Sequence, residues 1–258
     1  MKTRYTKNIP FISSEDQAKI KDTHILFGGV GLGSVIAEVA LRLGFEKFTF
    51  IDMDRVEVSN LNRQNYDMGD LNLLKVESIT RRLQAINPNV QISSHNLFLD
   101  ENSIEAFFED NKHVKYDIAI NALDFDNAAP FVFDDACIER GIKSIHPGNY
   151  SWVATAFLVE EEKQKFNEII KKENGEYPTF AECLEFARKQ IEDNYTSIQW
   201  FWDITRKFEE EEEASLPQLS VGANLAASLT TRLMYKLATN QPVKPFPFIY
   251  LLDVKYDE

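Results

Sequence analysis

The chain is short of cysteine, of long apolar runs and of positive charge, and each shortage removes a class of function. Cys137 and Cys183 are its two cysteines, and they form no C-x-x-C pair. That excludes a disulfide framework and leads us to expect a reduced, cytoplasmic setting. No apolar stretch approaches the roughly 18 residues of a membrane span. The basic start, Met1-Lys2-Thr3-Arg4, has no apolar run behind it, so a secretory signal is not expected either. A net charge of −13 over 258 residues leaves little cationic surface to displace counterions from nucleic acid. Part of this excess is local, in the glutamate run at 209–213, read here as a solvated stretch. The histidines His24, His95, His113 and His146 are scattered without metal-ligand spacing. His24 opens a buried strand and reads as structural, whereas His146, followed by Pro147-Gly148-Asn149 at a strand end, is a candidate substrate contact.

What is present is an ordinary globular composition, 44% hydrophobic and 27% charged, able to bury a sizeable core. Short β-rich runs at 24–27, 48–51, 90–93, 116–120, 144–146 and 154–159 alternate with amphipathic stretches near 33–43, 73–86, 102–110 and 127–140. This alternation predicts an α/β fold with a Rossmann-like, mostly parallel sheet and flanking helices. Pro88 and Pro147 are expected to mark element boundaries. Beyond Val159 the texture becomes charged, aromatic and helical over 161–213, with Phe180, Phe186, Trp200, Phe201, Trp202 and Phe208 read as packing surface. Pro217 precedes an apolar helix at 220–237, and 248–252 reads as one more strand, extending the sheet antiparallel at an edge. We therefore expect a single domain with an N-terminal helical arm (1–22), a nucleotide-binding core (23–160), a helical insertion (161–216) and a C-terminal helix and strand (217–258).

The first strand runs into Gly28-Gly29-Val30-Gly31-Leu32-Gly33-Ser34 and then a helical pattern. Glycines let the backbone turn sharply against a phosphate, while the new helix offers free N–H groups and the positive end of its dipole. One strand later Asp52 is placed to accept hydrogen bonds from ribose hydroxyls. Dehydrogenases, methyltransferases and adenylating enzymes share these features, and a tight turn that binds nothing has them too.

The next segment is more specific. Asp52-Met53-Asp54-Arg55-Val56-Glu57-Val58-Ser59-Asn60-Leu61-Asn62-Arg63-Gln64 resembles the D-x-D-x-V-x-x-S-N-L-x-R-Q signature of the ThiF, MoeB and ubiquitin-activating superfamily. Lys75-Val76-Glu77-Ser78, Asn87-Pro88-Asn89-Val90 and Asn121-Ala122-Leu123-Asp124 are similar to its later landmarks, and Arg4-Tyr5-Thr6-Lys7-Asn8 to its opening. The resemblance implies an ATP-dependent adenylyltransferase that activates a carboxylate, the C-terminus of a ubiquitin-like carrier protein or of a peptide, and releases pyrophosphate. It further implies that Gly29, Gly31, Gly33, Asp52, Asp54, Asn60, Arg63, Gln64 and Lys75 hold the nucleotide. Arg63 and Lys75 would act on the phosphates, and Asp124, with Asp126 as the alternative, would bind Mg²⁺. A homodimer is implied as well, because the family's N-terminal arginine reaches the neighbouring subunit's site. The chemistry fits these residue types: joining a carboxylate to the α-phosphorus needs fixed cations and a metal to neutralise charge.

The chain departs from the family pattern in places. Lys7 stands where the family has that arginine, keeping the charge but losing the forked geometry, and Arg4 is a substitute. Val30 replaces a loop glycine and is expected to crowd the nucleotide. The paired C-x-x-C knuckles of many members are missing, so no zinc is expected. Cys183 lies where thioester-forming relatives carry their cysteine, but its helical surroundings favour a buried structural thiol, and Cys137 reads as core. Two other functions stay open: a non-catalytic partner subunit of the same fold, and an NAD-dependent oxidoreductase, which would leave Asn60, Arg63 and Lys75 unexplained.

Overall fold

The computed structural model describes residues 4–125, 127–170, 176–194, Trp202 and 218–255. Asp126, Trp200, Phe201, Phe208 and the glutamate run at 209–213 lie outside the described residues. Seven strands form one sheet in the order β3-β2-β1-β4-β5-β6-β7. Strands β1 (His24–Gly28), β2 (Lys47–Ile51), β3 (Gln91–His95), β4 (Ile118–Asn121) and the first part of β5 (Lys143–Tyr150) run parallel. Strands β6 (Val153–Val159) and β7 (Tyr250–Asp253) continue the sheet antiparallel, and β7 forms the edge.

Alternation along the central strands sends successive side chains to opposite faces. Ile25 and Phe27 of β1 join Phe48 and Phe50 in one core, under helices α2 (Gly31–Leu43), α3 (Lys75–Ile86) and the later helix that follows Gln218. Leu26, Ile51 and Ala119 point the other way, into a core closed by α4 (Glu101–Asp110) and α5 (Ala129–Glu139). Both faces of the parallel part are thus covered, as such sheets require. A third apolar cluster joins β6 and the edge strand to residues of the 161–216 segment. Within that segment the described helices are α6 (Phe166–Ile169) and α7 (Phe180–Asn194), and Phe166, Cys183, Ile191 and Trp202 contribute to the cluster beside Phe246 and Ile249. The helix after Gln218 is α8 (Ser220–Ala238), preceded in the arm by α1 (Ser14–Asp22).

Two sequence expectations shift. Pro147 ends nothing: it sits inside β5, paired with Ala156 of β6. Pairing of β5 with β4 stops at Ile145, so the missing N–H removes no ladder bond on that side. Strand β4 begins at Ile118 instead of 116, where its pairing with Ile25 of β1 and Lys143 of β5 starts. Among the described residues no helix is long and apolar enough to cross a membrane.

Candidate active site

Strand order reverses between β1 and β4, where the connections leave the sheet in opposite directions. Such a point opens a crevice beyond the carboxyl ends of the strands. Here it is a cleft of about 710 Å³ whose walls include Gly29, Gly31, Asp52, Asp54, Arg63, Gln64, Lys75, Asn121, Asp124 and His146.

The floor is the glycine turn. Gly29 has φ +88°, and a Cβ there would lie 2.6 Å from the Ala122 carbonyl oxygen, so only glycine fits between β1 and the end of β4. Its N–H donates to the Ile51 carbonyl, while Ala122 N–H donates to the Gly28 carbonyl, tying the ends of three strands together. Helix α2 then starts at Gly31 without a side-chain cap at Val30, which leaves amides of the first turn for a ligand. Gly33 serves packing instead. A Cβ there would meet Phe27 at 3.2 Å, so the glycine lets α2 lie close on the sheet. Val30 does not crowd the cleft. With φ −119° it needs no glycine, and its side chain is fully buried in the core with Phe27 and Tyr66.

Asp52 follows β2 and is fixed by two backbone donors, Val30 N–H to Oδ2 and Asp54 N–H to Oδ1, each at 2.8 Å. Burial raises its pKa, opposed by the nearby Lys75 charge and by these donors. Each oxygen retains a lone pair for a hydroxyl donor. Lys75, the first residue of α3, is buried and placed twice over by Asp54: its N–H donates to the Asp54 carbonyl and its ammonium lies 2.7 Å from Asp54 Oδ2. Arg63 is half-buried on the opposite wall, where burial lowers its pKa and the charge of Asp124 opposes the change. Arg63 and Asp124 line the same cleft. Its Nη1 donates to the Ser59 carbonyl and to Asn62 Oδ1, and its Nε donates to Gln218 Oε1. Gln64 lies against Gly31 on the same wall.

Asn60 is not brought to the cleft. Its side-chain oxygen accepts from Glu57 N–H at 3.0 Å, and its carbonyl accepts the N–H groups of Arg63 and Gln64. The structure gives it a part in the turn that presents Arg63. Lys7 and Arg4 are also remote. The arm docks through Tyr5 and Asn8 on residues 41–46, at the amino ends of the strands, whereas the cleft lies at their carboxyl ends.

The β4–β5 wall holds a buried network that sequence reasoning missed. Asp134 of α5, 2% exposed, accepts from Asn121 Nδ2 (3.0 Å), Ser144 Oγ (2.7 Å) and His146 Nε2 (2.7 Å). Beside the carboxylate, Nε2 carries a proton and donates to it. His146 stacks on Phe157, ring centroids 4.4 Å apart. Among the described residues, His146 Nδ1 and Asn121 Oδ1 are both buried without a hydrogen-bond partner. Asp134 and Gln218 carry no local motif, and only the fold brings them to the cleft residues. Cys183 lies in an apolar chamber of about 50 Å³ with Phe166 and Leu184, which shares Tyr150, Thr155 and Phe157 with the lining of the cleft, and burial pushes its thiol up to about 12. Cys137 is fully buried. Among the described residues no three His, Cys, Asp or Glu side chains gather as a metal site.

The sequence model of the ThiF family matches residues 5–254. Over 82 residues the chain is 42% identical to ubiquitin-like modifier-activating enzyme 5 of Caenorhabditis briggsae, a match covering 31% of this chain and 19% of that protein. The chain thus spans about a fifth of the length of the curated relatives it matches. The solved structure of Escherichia coli MccB with ATP superposes with a TM-score of 0.70 at 19% identity, over 98% of this chain and 71% of that one. PaaA superposes with a TM-score of 0.67 at 20% identity, over 98% and 79%. At such identities the likeness is one of fold.

Proposed function

The chain belongs to the ThiF family, and on that premise we propose that it is an ATP-dependent adenylyltransferase that activates the carboxyl end of a ubiquitin-like carrier protein or a peptide. One observation carries this reading: a glycine turn, a ribose-type acid, a guanidinium, an ammonium and the further carboxylate of Asp124 all face one cleft. A dinucleotide site needs the first two and gives no use for the rest.

In this reading Asp52 accepts hydrogen bonds from the ribose with its remaining lone pairs. The first-turn amides of α2, Arg63 and Lys75 meet the phosphates, with Gln64 beside Gly31. A carboxylate oxygen attacks the α-phosphorus, the bond from that phosphorus to the bridging oxygen breaks, and pyrophosphate leaves with the electron pair. Charge grows on the phosphate oxygens as this happens, and preorganised cations stabilise it without reorganising. Asp124, exposed at the cleft that Arg63 also lines, suits Mg²⁺, which takes hard oxygen ligands and commonly shares one or two carboxylates with phosphates. Bound there, the ion would neutralise charge on the triphosphate.

The acyl substrate fits the β4–β5 wall. Its buried amide oxygen, Asn121 Oδ1, has no partner among the described residues and calls for an N–H donor, which a polypeptide end carries and a triphosphate lacks. The name of the C. briggsae relative and the ATP in the MccB structure agree with the reading. ATP–pyrophosphate exchange with candidate carrier proteins and peptides tests it. Exchange should appear with one of them and fall about a hundredfold or more in Arg63→Ala; exchange that Arg63→Ala leaves unchanged would contradict the assignment.

The site is further proposed to work as a homodimer, with Lys7 or Arg4 completing a neighbour's cleft, since neither reaches its own. The arm also exposes Ile9 and Phe11, at 60% and 89%. A solution mass of twice 29.7 kDa is expected, and a monomer that still adenylates would exclude the cross-subunit role.

A further inference from the structure

Residues 218–222 join the two walls of the cleft. On one side the Gln218 carbonyl accepts from Asn62 Nδ2 at 3.0 Å, and Gln218 Oε1 accepts from Arg63 Nε. On the other, the Leu219 carbonyl accepts from Asn149 Nδ2 at 3.3 Å, and Gly222 lies so close to the β5–β6 turn that a Cβ there would be 2.3 Å from the Ser151 carbonyl oxygen. Gln218 and Asn149 both line the cleft.

The Arg63 contacts differ from those of the chain's ion-paired arginines. Arg42, Arg81, Arg82, Arg140 and Arg188 each meet a carboxylate. Arg63 hydrogen-bonds only to neutral oxygens among the described residues, the Gln218 amide, the Asn62 amide and the Ser59 carbonyl, and the Asp124 charge acts on it without a hydrogen bond among them. A neutral amide fixes a guanidinium without cancelling its charge, whereas a carboxylate in the same place would bind it at least as firmly and leave less field for an incoming anion.

We infer that Gln218 is a positioning residue that holds Arg63 in place without neutralising it, and that residues 218–222 tie this arginine to the β5 wall. The inference rests on the phosphate role proposed for Arg63. It gives Gln218, just ahead of α8 and 155 residues from Arg63 in the chain, a direct connection to the phosphate side of the cleft.

Calorimetry on the whole chain, with Mg²⁺ and ATP as the probe and adenosine as the phosphate-free control, tests it. Gln218→Glu should keep the wild-type unfolding temperature and adenosine binding yet weaken ATP about tenfold or more, as expected from losing a charge-assisted contact. Gln218→Met, which keeps the length without the acceptor, should also weaken ATP, but should add nothing in an Arg63→Ala background. A merely structural glutamine predicts the reverse for Gln218→Glu, which can still accept from Nε, and wild-type ATP affinity there would overturn the inference. Should Gln218→Glu fail to fold, unchanged affinity in Gln218→Met overturns it instead. Wild-type affinity in Arg63→Ala itself would remove the phosphate role of Arg63 and the inference with it, which separates the two failures.

Discussion

At the scale of single residues, environment decides which groups are available for chemistry. Cys183 shows this most plainly. It occupies a position attractive for a thioester, yet it is 5% exposed among aromatic and aliphatic side chains, and desolvation of the thiolate pushes its pKa up to about 12 from the ordinary 9.0. At pH 8 its thiolate fraction is then about a thousandfold below that of a free cysteine. We expect iodoacetamide to label Cys183 of the native protein at pH 8 at least about a thousandfold more slowly than in urea; labelling at a comparable rate would show an accessible, reactive thiol. The linked effect on stability has a definite sign. The folded pKa is raised, so this contribution is intact below the unfolded value and is lost as pH climbs from about 9 towards 12. Residue identities inside the contiguous 52–64 signature were legible in the sequence because their spacing is local. Asn60 was legible only as a member of that signature, and its place in the turn emerges from its hydrogen bonds. Asp134 and Gln218 were not legible, because their partners lie ten or more residues away, 155 in the case of Arg63.

At the scale of elements, the glycine turn depends on what lies beneath it. Phe133 of α5 is fully buried, and its ring approaches Gly28 so closely that a Cβ there would sit 3.2 Å from it. The end of β1 therefore rests on this ring. Phe133→Ala should destabilise the fold by about 3–5 kcal/mol through lost burial and a residual cavity. Urea titration reads this as a lower midpoint, and a midpoint within error of wild type would mean that α5 does not support the turn. Most elements were readable from periodicity and turn residues, with ends displaced by one or two positions. The misreading of Pro147 has a physical origin: a proline breaks a strand only where its N–H is needed, and which side of β5 lacks a partner is a property of the sheet, not of the local sequence.

At the scale of the whole molecule, the order of the strands brings separate pieces of chain to one place. The turn after β1, the acid after β2, the start of α3 and the end of β4 meet because parallel strands all present their carboxyl ends to the same side. The sequence pattern was enough to read this architecture, down to the antiparallel extension and its edge strand. It did not reveal how the 161–216 segment meets the sheet, since its contacts with β6 and the turn at Phe246 depend on side chains distant in the chain. The central claim is that these pieces converge on a triphosphate, and calorimetry with ATP and Mg²⁺ beside NAD tests it most directly. The chain is expected to bind ATP and not NAD, and Arg63→Ala, still folded, to lose at least about tenfold in ATP affinity. Binding of NAD without ATP, or ATP binding indifferent to Arg63→Ala, would contradict it.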